Sequence, residues 1–426
     1  MKFTALFAFL GMISHPALSQ EVIELEDIAG LHSAYVIPIH ERNRVDVQVI
    51  ILSGTYDEGE VSGIAHYTEH LAALSADKAV LQQPRQRDLN ASTSPISIVH
   101  TNSGTPDEID KIMSLSRAVL DTPELTVPFQ LSEIDIVKRE VFYKERVAPI
   151  RWLRRRSLQN LYGATSGRAE DPIGDIEQIT IEGALDFHAQ HYTASNTMII
   201  ISGDIDPSLA QQKLSEYFGD TETTRQVPDT WLDLHPTPGL HHVEKITSDR
   251  LLDDSISFSK FFEFPNPEDV LSMQASFFIA SDIYNSHLNR ALYLEGFIAQ
   301  NFSQGSYLAV DGDLEYNAFL VPFEGVSLEE ALAGLETAIA NLQDATITSD
   351  EIAIARAKNV AYTKSLENSP RAYLDFFQNL GSDGLPPVSP SQFSQMIKDA
   401  PDSEVLRFIE AFASNSPTAA VLAKAN

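Results

Sequence analysis

The chain of 426 residues contains no cysteine, so disulfides are excluded and any bound zinc must be held by nitrogen and oxygen ligands. It has little positive charge: 30 lysines and arginines stand against 60 aspartates and glutamates, a formal net charge of −30. That balance argues against nucleic-acid binding, because nothing offsets phosphate repulsion. No G-x-S-x-G elbow and no phosphate-binding glycine loop occurs. The only long apolar run is at the start. Lys2 followed by Phe3–Ile13 and the small residues Ala17 and Ser19 reads as a secretory signal, residues 1–19, too short to span a membrane. With no other membrane candidate, the expected location is periplasmic or secreted.

What remains is ordinary for a globular protein, 43% hydrophobic and 21% charged, and too long for one core. Val45, Val47, Val49 and Ile51 alternate with Asp46 and Gln48 as in a half-buried strand. Tyr35–Pro38 suits an edge strand, and Pro106–Leu120 and Ser132–Arg156 read as helices. Asn196–Asp204 reads as a buried strand ending in a turn. Pro228, Pro236, Pro238 and Gly239 mark a linker, 226–242, between domains at 20–225 and 243–426. In the second half, Ser255–Phe258 alternates, and helices are expected at 267–292, 328–342, 349–367 and 370–380. Tyr192–Thr197 before Met198–Ile201 parallels Phe412–Pro417 before Thr418–Leu422. The expectation is an α+β fold: two similar domains, each an antiparallel-containing sheet with helices packed on one face.

The chemistry is concentrated in His66-Tyr67-Thr68-Glu69-His70. Two histidines four apart on a helix project from one face, so both imidazoles can ligate one metal ion. Glu69 is placed to reach a water at that ion without being a ligand. A catalytic zinc wants a third protein ligand, and downstream carboxylates are the candidates. His188 and His191, three apart, are a weaker metal pair at a helix end. Arg151, Arg154, Arg155 and Arg156 form a basic run that reads as a solvated face or a wall for acidic peptide groups. Asn90-Ala91-Ser92 fits a glycosylation sequon, informative only in a eukaryotic secretory pathway.

The order H-x-x-E-H is the inverzincin signature, and the sequence here resembles the pitrilysin/insulinase family of zinc peptidases. Ser53–Glu58, Gly63-Ile64-Ala65, Asn90–Ser94, Asp171–Gly174, Ile179-Thr180 and His191–Asp204 carry the resemblance, specific across 25–210 and weaker beyond. It implies that His66, His70 and a glutamate about 75 residues later hold Zn2+; Glu145 is at that distance, with Glu140 as competitor expected to face elsewhere on its helix. Glu69 is then the general base, and Asn90, Ala91 and Ser92 form an edge strand that binds substrate. Two departures stand out. Lys138 occupies the position seven before Glu145 where the family often has an acidic residue. The stretch Ala291–Gln300 lacks the arginine/tyrosine pair of active single-chain members, with Arg290 and Tyr293 out of register. The implied function is a zinc metalloendopeptidase hydrolysing peptides or unfolded segments. One chain supplies one half of a clam-shell chamber, so a homodimer or a heterodimer with a related subunit is implied. The alternative is a zinc-binding subunit that is inactive alone.

Overall fold

The computed structural model describes residues 22–25, 28, 30–39, 43–58, 61–82, 90–94, 96–163, 178–219, 235–262, 270–299, 303–308, 314–367, 369–382 and 385–426. The expected signal (1–19), the 171–174 landmark and the 226–234 part of the linker lie outside the described residues. The expected α+β class is the one observed, built on two sheets.

The first sheet comprises β1 (Ile23–Glu24), β2 (Ser33–Pro38), β3 (Val45–Ile51), β4 (Ala91–Thr93), β5 (Ile98–Gly104) and β6 (Thr197–Gly203), in the order β1-β2-β6-β3-β5-β4. The second comprises β7 (His241–Ser248), β8 (Ser255–Phe262), β9 (Ser303–Leu308), β10 (Leu314–Leu320) and β11 (Thr418–Ala425), in the order β7-β11-β8-β10-β9. Leaving β1 aside, both have the same plan. The last strand inserts beside the first in parallel (β2 with β6, β7 with β11) and pairs antiparallel with the second. The third strand lies at the far edge of each sheet, so β4 is an edge strand, as the resemblance implied. Tyr35–Pro38 is not at a full edge: β1 covers Tyr35 and Val36, leaving Pro38 beyond its reach, where a missing N–H costs nothing.

Helices follow the apolar spacing, with one correction. Ser132–Arg156 is two helices, α3 (Val127–Val147) and α4 (Pro149–Tyr162), with α1 (Ile64–Leu81) and α2 (Ile109–Ala118) before them. Pro149 opens α4 and forces Ala148 out of helical geometry, to φ −138° and ψ 77°. Then come α5 (Ile181–His191), α6 (Pro207–Phe218), α7 (Val270–Leu294), α8 (Leu328–Asn341), α9 (Ser349–Leu366), α10 (Pro370–Ser382), α11 (Pro390–Asp399) and α12 (Asp402–Ala413).

The halves exchange a helix. Tyr373 and Phe377 of α10 pack on Ile37, Ile50, Met198 and Ile200 of the first sheet. In return, Leu153, Leu158 and Leu161 of α4 pack on Phe261, Ala419 and Val421 of the second. Arg156 seals that contact, its Nε donating to Glu244 Oε2 at 2.8 Å. This member of the basic run is therefore an anchor between α4 and β7. Each sheet buries its other face under helices of its own half. Val49, Ile51 and Ile98 lie against α1, and Phe258, Phe262, Tyr316 and Leu422 lie in the core around α7 and α12. Every such fully buried aliphatic or aromatic side chain contributes about 1.5–3 kcal/mol of transfer free energy.

Candidate metal centre

The metal helix is held from its first turn. Gly63, the N-cap of α1, has φ +84°, a left-handed conformation that glycine adopts without steric cost. Glu58 is buried, and its two carboxylate oxygens accept from the N–H of Gly63 at 3.0 Å and of Ala65 at 2.9 Å. These contacts satisfy N–H groups that the helix itself leaves open, and they put negative charge at the positive end of the dipole. Upstream, Asp57 Oδ2 accepts from Gly54 N–H at 2.9 Å, closing the turn that leads in. Along its length α1 is buried nearly all round, from Tyr67 through Asp77. Burial pushes the Tyr67 phenol up to about 12, and its hydroxyl donates to the Gln130 carbonyl at 2.9 Å, fixing α1 against α3.

One helical turn brings the rings of His66 and His70 to a centroid separation of 5.0 Å, nearly perpendicular to each other. From α3, Glu140 approaches both: its Oε2 is 3.7 Å from His66 Nε2 and its Oε1 3.9 Å from His70 Nε2. Among the described residues, His66, His70 and Glu140 form the group able to hold a metal, with one ligand atom from each lying within 4.8 Å of the others. Seven residues before Glu140, Glu133 is almost fully buried, and its Oε2 lies 3.3 Å from His70 Nδ1. Seven residues are almost two turns, so Glu133 and Glu140 share a side of α3. Val137, between them, is fully buried in the core with Leu71 and Ala72 of α1, which sets the approach of the two helices. The side chain of Glu145 lies outside the described residues. Its backbone is five residues past Glu140, about 140° further round the helix.

Glu69 is buried and faces β4: the Thr93 hydroxyl donates to its Oε2 at 2.7 Å. Beside it, β4 pairs with β5 through Ala91↔His100, Ser92↔Val99 and Thr93↔Ile98, while its other edge meets no strand among the described residues. Asn90 lies just before the strand, its carbonyl accepting from Thr101 N–H at 2.8 Å.

His188 and His191 are brought to different partners. His188 Nε2 is 3.1 Å from the Val119 carbonyl, and His191 Nδ1 is 3.0 Å from Ser53 Oγ. Burial lowers both to about 4, and it lowers His100 to about 3 with help from the neighbouring His188 and His70. Neutral imidazoles accepting or donating single hydrogen bonds are structural members of a core.

A sequence model described as the Peptidase M16 inactive domain matches residues 178–359, a stretch that begins after Glu140. No curated protein matches the sequence. Solved structures do share its fold. A protease from Helicobacter pylori superposes with a TM-score of 0.73 at 17% identity, over 95% of this chain and 99% of that one. The peptidase M16 inactive domain from Pseudomonas fluorescens gives 0.71 at 15%, over 95% and 98%. The periplasmic protease PqqL from Escherichia coli gives 0.68 at 16%, over 96% of this chain but 48% of that one. The fold is therefore that of an M16 peptidase half-chamber.

Proposed function

We propose that this chain is a zinc metallopeptidase subunit of the pitrilysin/insulinase type, an endopeptidase acting on peptides or unfolded segments. The observation that carries the reading is the convergence of His66, His70 and Glu140, with Glu69 hydrogen-bonded to an edge strand. The donor set fits zinc. Tetrahedral bonds of about 2.0–2.1 Å put ligand atoms about 3.3 Å apart. Glu140 reaches the two imidazoles at 3.7 and 3.9 Å through its two different oxygens, and one ligand atom from each of the three residues lies within 4.8 Å of the others, so an ion would draw them together by on the order of an ångström. A carboxylate on the far nitrogen of a ligating histidine, as Glu133 is on His70, is the usual orienting partner.

Glu140 takes the third-ligand role in this reading, in place of Glu145. The acidic residue seven positions before the ligand is then Glu133, and Lys138 is no departure.

When bound, the ion supplies Lewis acidity at the scissile carbonyl and beside a water. Glu69 accepts the water's proton as its oxygen adds to the carbonyl carbon, and returns it to the leaving nitrogen as the C–N bond breaks. Thr93 orients the Glu69 carboxylate through its hydroxyl. An extended peptide adds to the open edge of β4, where backbone hydrogen bonds at Asn90, Ala91 and Ser92 hold it with little side-chain preference. Domains at 20–225 and 243–426, export under residues 1–19 and a periplasmic or secreted location belong to the same reading. The described residues contain no helix long and apolar enough to cross a membrane.

A second reading keeps the zinc and removes independent activity. Arg290 and Tyr293 sit near the end of α7, out of register with the pair expected there, and PqqL is about twice this chain's length. A partner subunit, a second copy or a related chain, would supply the other half of the chamber.

The experiment is cleavage of a mixed peptide library by the mature chain beside Glu69→Gln, with zinc content and oligomeric state measured on both. Cleavage by wild type alone supports the peptidase. A folded, zinc-loaded wild type that cleaves nothing moves the reading to the partner-dependent subunit. Failure to bind zinc overturns both.

A further inference from the structure

Far along the chain from the metal centre, β8 carries a lysine in an apolar row. Ile256, Phe258 and Phe262 alternate into the core of the second half, and Lys260 falls on the same face at 3% exposure. Burial lowers its ammonium to about 8, which leaves it mostly charged at neutral pH. Its Nζ donates to the Ser414 carbonyl at 2.8 Å, at the C-cap of α12. That contact suits the negative end of a helix dipole, yet it uses one of three N–H groups, and no second acceptor meets Nζ among the described residues.

A cavity of about 400 Å³ is lined in part by Lys260 and by Ser414, whose carbonyl accepts from Nζ. That is the size range of small-molecule sites. Its apolar walls include Leu240, Phe258 and Ile339, and Ser416 also lines it. Ser416 Oγ is shielded from solvent and has no hydrogen-bond partner among the described residues. Buried polar groups are ordinarily hydrogen-bonded, so this hydroxyl is available to a partner. On α8, half-buried Glu336 lines the same cavity, and its Oε1 is 3.6 Å from His241 Nδ1.

We propose that this cavity binds a small carboxylate with an apolar body, its oxygens taking the uncommitted N–H groups of Lys260 and the hydroxyl of Ser416. Glu336 offers an acceptor to an N–H at the ligand's other end. An α-amino acid and the C-terminal residue of a peptide share this chemistry. The site is independent of the zinc reading.

The test is calorimetric titration of the full mature chain with N-acetyl-leucine, N-acetyl-leucinamide and free leucine. N-acetyl-leucine should bind saturably, and the amide, which lacks the carboxylate, about tenfold or more weakly. A preference for N-acetyl-leucine over leucine assigns the site to peptide C-termini, and the reverse to free amino acids; either supports the proposal. Lys260→Met, which keeps length and apolar contact, should abolish binding, and Ser416→Ala should weaken it with the fold intact. Zinc content and peptide cleavage should not change in either variant. Equal binding of acid and amide, unaltered binding in Lys260→Met and Ser416→Ala, or no binding of either acid to wild type would each overturn the proposal. The last result, with a lowered melting temperature for Lys260→Met, would leave Lys260 as a helix cap only.

Discussion

Glu133 Oε2 lies 3.3 Å from Nδ1 of His70, and both side chains are nearly sealed from solvent. The pairing presents the Nε2 side of the imidazole to Glu140 and favours the tautomer whose Nε2 lone pair can ligate. Glu133→Gln should therefore weaken zinc binding by about 10–100-fold while the protein stays folded. Competition against a zinc chelator measures it; an unchanged affinity would remove Glu133 from the site.

The two candidate third ligands can be separated directly. Glu140→Gln should lose zinc at chelator concentrations that leave wild type loaded, and Glu145→Gln should behave as wild type. Metal content after dialysis decides between them. The reverse pattern would restore Glu145 and place Glu140 on a solvated flank.

Glu69→Gln should retain zinc and lose peptide cleavage, because the amide cannot take a proton from water. Thr93→Val removes the 2.7 Å donor to Glu69 Oε2 and keeps the shape of the β-branched side chain. Loss of a hydrogen bond to a charged group predicts a fall in kcat of about tenfold, with KM little changed. Normal turnover in Thr93→Val would mean that the base is oriented by other contacts.

His188 and His191, lowered by burial to about 4, make stability depend on acid. In the unfolded chain each takes a proton near its ordinary value of 6.5, whereas the folded chain resists until about pH 4. The unfolded state then binds more protons between those limits, so stability is full above about pH 6.5 and falls as the pH drops toward 4. Replacing His191 by Gln should remove on the order of 1–3 kcal/mol of that pH-dependent loss. Denaturant midpoints at pH 7 and pH 5 give the comparison.

The exchanged helix α10 should matter to the fold out of proportion to its length. Phe377→Ala opens a cavity between α10 and the first sheet and should cost about 3–5 kcal/mol. Gly381 is a second handle. A Cβ there would sit 2.6 Å from Ile50 Cδ1, so Gly381→Val should destabilise by about 1–3 kcal/mol. Chemical denaturation checks both, and near-neutral effects would show that the halves associate loosely through this contact.

Much of the fold is legible in the sequence because alternation and helical spacing are local. Val45–Ile51 reads as a strand from its own residues, and the ends of both halves announce a repeat through Tyr192–Thr197 and Phe412–Pro417. The strand order of the two sheets bears out that repeat. The break at Ala148 was also legible, from Pro149 alone, although helical spacing on both sides disguises it. Nothing local announces that α4 and α10 cross to the opposite sheet.

The metal centre divides along the same line. By itself the sequence determines the His66/His70 pair and the placing of Glu69, since four residues on one helix set those directions. Counting residues to a third ligand points to Glu145, whereas Glu140 is the carboxylate that joins the two imidazoles among the described residues, and a separation of 75 says nothing of how a second helix is rotated. A finer signal was present: Val137 and Val141 mark the buried stripe of α3, with Glu133 and Glu140 on one flank and position 145 on the other. Which flank faces α1 is decided only by tertiary packing. Val137 seats against Leu71 and Ala72, and that contact turns Glu140 toward both imidazoles and Glu133 toward the far nitrogen of His70.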